Sequence, residues 1–332
     1  MKTSLITIIA VSLLFTSCGD TKNKAVDNSE NNSSTFNNSK EDNSFGSSIF
    51  INKFNSYIDF GNTFHKSAHK SYQRYFSWVD YEKGPNSNIK GVKGISKLSD
   101  NALENLEKGL KIDAEIEGVD DLMQKVYHRA AELQKVSVEA ASYYNRQDYK
   151  DDDFAKGKEL HKDIVRTFEN YFKSYSDMST AFRKVQEKLF KQEVSKLKDD
   201  KEFIRYNLAM SLHYAEGILN TIGNLDGVAL KNLDLDALNA NVTEFKVAFD
   251  ELENLSVAKE KVKNELGLKA FALKMYLKEG MQLIKETRNL KERIEKNNFK
   301  YSVVHPNIPD SGSPSKIYKI YSGLVTNYNR MN

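Results

Sequence analysis

Cysteine is almost missing from this chain of 332 residues: Cys18 stands alone, which excludes an internal disulfide and a metal cage built from several thiolates. Proline is nearly as scarce. Pro85, Pro306, Pro309 and Pro314 all fall in or at the edge of connecting stretches, so nothing interrupts long helices. An excess of one charge is missing too. Lys and Arg number 49 against 46 Asp and Glu, a formal +3, and this lacks the basic footprint that nucleic acid demands. No run alternates apolar and polar residues as a half-buried strand does. Catalytic signatures are also lacking. There is no Gly-x-Ser-x-Gly elbow, phosphate loop or dinucleotide fingerprint, and Gly91-Val92-Lys93-Gly94 reads as a turn. Neither an enzyme nor a bound cofactor is expected.

What is present begins with an address. Lys2 is followed by an apolar run from Leu5 to Phe15, broken only by Thr7 and Ser12, and then by Thr16, Ser17 and Cys18. A positive start, a short apolar run and small residues mark a secretory leader over 1–17, too short to span a membrane. Leu14-Phe15-Thr16-Ser17-Cys18 resembles a bacterial lipoprotein processing site, with Phe15 where Leu is usual. That resemblance implies cleavage before Cys18 and acylation of it, hence a membrane partner through the lipid. The competing reading is a secreted protein with a free Cys18. Gly19, rather than Asp, follows the cysteine, which points toward the outer membrane. Residues 19–48 are rich in Asn, Ser, Asp, Lys and Glu and carry too little apolar surface to order themselves, so 18–48 reads as an acylated cysteine and a tether.

Residues 49–332 read as one all-α domain, an elongated antiparallel helical bundle with long helices and shorter end helices. Steps of three and four place Phe54, Tyr57, Phe64, Ala68, Tyr72, Tyr75 and Val79 on one helix face. Leu98 to Leu110 gives a second helix with Ser99 or Asp100 as cap. A third runs from an Asp120 or Asp121 cap to Tyr144. The longest pattern runs from Ala155 to about Leu197. Its stripe of Gly157, His161, Ile164, Phe168, Tyr171, Tyr175, Met178, Phe182, Val185 and Leu189 is a heptad-like seam. Helices over 203–222 and 238–252 follow. The next stripe is read through Leu268, Phe271, Met275, Glu279, Leu283, Leu290 and Ile294. An extended connection over 298–313 leads to a last helix begun by Ser313-Pro314.

The chain turns on the corner Tyr143–His161, where a helix end meets the start of the longest one. Tyr143, Tyr144, Tyr149, Asp151, Asp152, Asp153, Lys156 and His161 lie here. Carboxylates and phenols could hold a cation or small ligand. The same residues also suit a purely structural corner, with acids at a helix N-terminus and tyrosine rings packed beneath. The alternating ligand spacing of a calcium hand is absent, and the structural reading is the expectation taken forward. His65 and His69 share a helix face at a spacing that could grip a metal, but Lys66 stands where a zinc protease has Glu, and a third ligand is lacking. His213 and Glu216 form His-x-x-Glu, which resembles the Gly-x-His-x-x-Glu pattern of imelysin-like iron-uptake proteins, with Ser211 in place of the Gly. Core or surface histidines are expected in both cases, and no metal.

Tyr143-Tyr144, Tyr149-Lys150-Asp151-Asp152, Lys156-Gly157-Lys158 and Leu160-His161 together resemble the central signature of the YiiG-like bacterial lipoproteins. Lys53-Phe54-Asn55-Ser56-Tyr57-Ile58, Lys83-Gly84-Pro85 and the closing Ser313-Pro314 helix with Leu324-Val325 and Tyr328-Asn329 fit the same family. The resemblance covers residues 50–330 and implies a helical envelope lipoprotein domain without assigned catalytic residues. The expected function is a lipid-anchored envelope protein, a non-enzymatic binding or structural module whose partner is another envelope protein or component. The alternative is a periplasmic or surface metal- or small-ligand-binding protein of imelysin-like character.

Overall fold

The computed structural model describes residues 44–301 and 309–331. The expected leader, Cys18 and the tether up to residue 43 lie outside them, as does the middle of the 298–313 connection. Among the described residues there are ten α-helices and no strand. They are α1 (Ser48–Phe60), α2 (Lys66–Phe76), α3 (Asp100–Leu110), α4 (Asp120–Arg146) and α5 (Ala155–Asp199), followed by α6 (Phe203–Ile222), α7 (Leu235–Ser256), α8 (Lys259–Leu266), α9 (Phe271–Glu295) and α10 (Pro314–Met331). The all-α reading holds. The short α8 lies in a stretch where the sequence shows no helical stripe.

Where the sequence reads as one bundle over 49–332, the described residues group into two compact units, one up to Leu189 and one from Phe190. The boundary falls inside α5, whose 45 residues extend about 68 Å at 1.5 Å per residue. The seam of α5 continues unbroken in sequence, so periodicity carries no mark of the division.

In the amino-terminal unit α1 packs on α3 and α3 on α4. Aromatic contacts tie α1, α2 and the turn between them to α5. Phe54 stacks on Phe182 with centroids 4.3 Å apart, Phe64 meets Tyr171 edge-on at 5.5 Å, and Tyr72 meets Phe168 at 5.4 Å. Gly61–His65 form a π-helical turn between α1 and α2. Its extra residue rotates the face that follows, so Phe64 and His65 both point inward. Ser99 is the cap of α3, accepting from the Asn101 N–H. Asp120 does not cap α4; Val119 stands at that position. The Asp120 carboxylate instead accepts from the buried Lys53 ammonium (2.7 Å), the Tyr57 hydroxyl (2.8 Å) and the Ile116 N–H (3.1 Å). The ammonium also donates to the Ala114 carbonyl, so the buried charge is both paired and hydrogen-bonded.

In the carboxy-terminal unit α6 packs on α7, α7 on α9, α9 on α10 and α10 on α6, a closed ring of four helices. Its core is mainly aliphatic: Leu208, Leu212, Ile218, Leu219, Leu238, Leu252, Leu283, Ile317 and Leu324, with a few rings among them. The face of α9 in that core carries Ala272, Leu273, Tyr276, Leu283 and Leu290. This corrects part of the stripe read from sequence. Leu268, Phe271 and Met275 are 99%, 66% and 43% exposed. Glu286 of α9 is buried and accepts from the Ser311 hydroxyl and the Gly312 N–H, both at 2.7 Å, pinning the end of the connection before α10. Ser313 caps α10 as expected, accepting from the Lys316 N–H.

Candidate functional site

The corner between α4 and α5 is built by backbone turns that the sequence marks with polar residues. Gln147, Asp153 and Phe154 adopt positive φ, which turns the chain twice within eight residues. Asp152 then serves the start of α5: one oxygen accepts from the Lys156 N–H (3.0 Å), the other from the Tyr143 hydroxyl (2.7 Å). Burial pulls the Asp152 pKa up, but these two donors together with the Phe154 and Asp152 backbone N–H groups outweigh it and hold it below the usual carboxylate value. Tyr143, buried, closes over Gly157, where an added Cβ would lie 3.3 Å from its ring. Tyr149 stacks on Phe154 at 4.9 Å. Lys156 pairs with Glu139 of α4 at 3.0 Å, on the surface. Asp151 and Asp153 are exposed.

Tyr144 and His161 point the other way, into the core. The Tyr144 ring meets Trp78 edge-on at 5.2 Å and lies 6.1 Å from Tyr75. Burial, tempered by the neighbouring Tyr75 hydroxyl, pushes its phenol up to about 12. His161 is buried between two partners: the Tyr81 carbonyl at 2.9 Å from Nε2 and the Tyr75 hydroxyl at 3.1 Å from Nδ1. A carbonyl only accepts, so Nε2 carries a proton. Burial lowers the imidazole pKa against the weaker upward pull of the Tyr81 carbonyl and Asp80, which favours the neutral ring, and in that form Nδ1 accepts from the Tyr75 hydroxyl.

Two loops are held down by these rings. Gly84 has φ +70°, and a Cβ there would come within 2.9 Å of His161 Cδ2, so Lys83-Gly84-Pro85 fits only with glycine at its centre. Gly94 has φ +67°, and its would-be Cβ lies 3.2 Å from that of Tyr144, while its carbonyl accepts from the Trp78 indole at 2.9 Å. The Tyr81 hydroxyl donates to Glu169 of α5. Sequence spacing brings Tyr143, Asp152 and Lys156 together; it gives no sign that Tyr75, Trp78, Tyr81, Gly84 and Gly94 belong to the same corner, since these contacts cross 50 to 90 residues.

The two histidine pairs lie elsewhere. His65 is buried, stacked on Tyr175 at 3.5 Å with Nδ1 3.2 Å from the Tyr171 hydroxyl, and meets His69 edge-on at 4.7 Å. Burial, and to a lesser degree His69, lower its pKa to about 3. His69 is half-buried against Phe172. His213 belongs to the other unit, exposed on α6 and stacked on Phe190 at 4.4 Å, with Glu216 one turn on. Among the described residues no group of three or more His, Cys, Asp or Glu is placed to hold a metal ion, and no helix is long and apolar enough to cross a membrane.

Comparison with known proteins agrees with the resemblance read from these residues. A stretch of 205 residues, 60% of this chain, is 26% identical to the uncharacterized protein YiiG of Escherichia coli (strain K12) and spans 56% of that protein's length. No solved structure matches. The model of the family described as "Protein of unknown function (DUF3829)" matches residues 49–330, which takes in both units and the corner, and the chain belongs to that family.

Proposed function

We propose that this is a lipid-anchored cell-envelope protein, held through acyl chains on Cys18, whose helical body is a non-enzymatic binding or structural module. The anchor rests on the leader, the small residues before Cys18 and the unpaired cysteine itself. Several acyl chains on one cysteine give stable attachment where a single chain does not. The non-enzymatic part rests on one observation. The conspicuous polar groups of the corner are committed to the fold: Asp152 to the start of α5 and Tyr143, His161 to a backbone carbonyl and Tyr75. A general base needs a lone pair facing substrate, and His161 turns both nitrogens inward. The metal- or ligand-binding alternative has less behind it, because His65 and His69 are packed among Tyr171, Phe172 and Tyr175.

The test is made in cells that express the full chain. Mass spectrometry of the mature N-terminus should find an acylated Cys18, and Cys18→Ser should remove that modification and weaken the retention of the protein with the membrane fraction. Wild-type protein with an unmodified Cys18 would overturn the anchor.

A further inference from the structure

Between Gly267 and Lys291 the exposed positions have an unusual composition. They are Gly267, Leu268, Lys269, Phe271, Lys274, Met275, Lys278, Met281, Lys285 and Arg288. Apart from the glycine, all are apolar or cationic. The two acids of the stretch are withdrawn: Glu286 is buried on the connection before α10, and Glu279 is half-buried against Gly323 of α10. From Phe271 to Arg288 the strip runs along α9 for about 26 Å. Leu268, at 99% exposure, projects from the turn that leads into it.

We infer that this face of α9 is a docking surface for an anionic lipid bilayer. Phe271, Met275, Met281 and Leu268 are flexible or aromatic apolar tips set between cations, the pattern that sinks to the level of the headgroups while lysine stems reach back to phosphate. A protein partner is the poorer fit. Lysine is depleted from the cores of protein interfaces, and here Lys269, Lys274, Lys278 and Lys285 are interleaved with the apolar tips, with no Tyr or Trp among the exposed positions. The opposite face of α9 is already buried in the four-helix core, so the helix need not leave the fold to dock. The surface does not depend on the lipid proposed at Cys18; it would orient the body against the membrane whatever retains the chain there.

The test uses the full chain with Cys18→Ser, which removes the acylation site, and Leu268→Cys carrying an environment-sensitive fluorophore at the tip of the strip. Vesicles of phosphatidylglycerol and phosphatidylcholine in equal parts should shift its emission to the blue. Vesicles of phosphatidylcholine alone should not. Lys274→Glu with Lys278→Glu, both exposed and so compatible with folding, should weaken the vesicle affinity by about tenfold or more, as should raising the salt well above physiological strength. The proposal is overturned by an absent shift on anionic vesicles, by an equal shift on neutral ones, or by a shift that the two reversals leave unchanged. It is also overturned if the emission shifts with protein concentration without vesicles, since the face would then cover a second copy. Because Cys18 is replaced throughout, failure here and failure of the acyl anchor are separate results.

Discussion

The two units bury different chemistry. The amino-terminal unit is built from rings with polar tips, among them Tyr57, Tyr75, Tyr144, Tyr171, Tyr175, His65 and His161. Several of those tips are tied to one another across long loops of chain. The carboxy-terminal unit is built mainly from leucine and isoleucine, with Tyr276, Tyr321 and Tyr328 among them, and its buried carboxylate, Glu286, sits at the margin, holding a connection. An aliphatic core specifies volume and is tolerant of direction. A core of phenols and imidazoles also specifies which group donates to which, so it is more sensitive to a single lost ring and to protonation.

The largest expected effect comes from removing one such ring. Tyr144→Ala empties a site lined by Tyr75, Trp78, Tyr143 and the Gly94 backbone, and should cost about 3–5 kcal/mol in denaturant unfolding. A cost below about 1 kcal/mol would mean that the corner is not packed as described.

Acid should separate the units next. His65 has a folded pKa of about 3 against an ordinary 6.5, and His161 and His69 are lowered too, each chiefly by burial. The unfolded chain therefore binds protons that the folded unit refuses. The stability that neutral histidines permit is complete above the unfolded value and is lost as pH falls from about 6.5 toward 3. In the carboxy-terminal unit, burial would raise the Glu286 pKa, but Ser311, the Gly312 N–H and Asn289 lower it further, so its contribution begins to fade only below the ordinary 4.5. Hydrogen exchange compared at about pH 7.5 and about pH 5 should show α1, α2 and the 155–189 part of α5 losing protection while α7 and α9 keep theirs. Equal loss in both units would erase the contrast.

Much of this architecture is legible in the sequence because the physical signals are local. The seam of α5, the Ser99 and Ser313 caps and the glycine- and proline-marked breaks depend on neighbours within a turn or two. The start of α9 is different. Phe271-Ala272-Leu273-Lys274-Met275-Tyr276-Leu277 is apolar on more than one side, so helical spacing admits two faces, and only packing against α7 and α10 decides that Ala272, Leu273 and Tyr276 go inside. The inward turn of His65 escapes for a related reason, since a π-turn changes the period on which the reading relies. At the corner, the Tyr143–Asp152 bond is nine residues long and readable. The loops around Gly84 and Gly94 reach it from far along the chain and leave no local trace.

At the corner, Asp152 is the acid that serves the start of α5. Asp152 and Asp151 are adjacent in sequence, yet only Asp152 accepts both the Tyr143 hydroxyl and the Lys156 N–H. Thermal unfolding of the wild type, Asp152→Asn and Asp151→Asn, each with and without added calcium, tests this most directly. Expected are a lower Tm for Asp152→Asn, an unchanged Tm for the exposed Asp151→Asn, and no response of the wild type to calcium. A higher Tm for Asp152→Asn in the metal-free protein, together with a wild-type Tm that climbs with calcium, would mean that crowded carboxylates repel one another while awaiting an ion, and would contradict it.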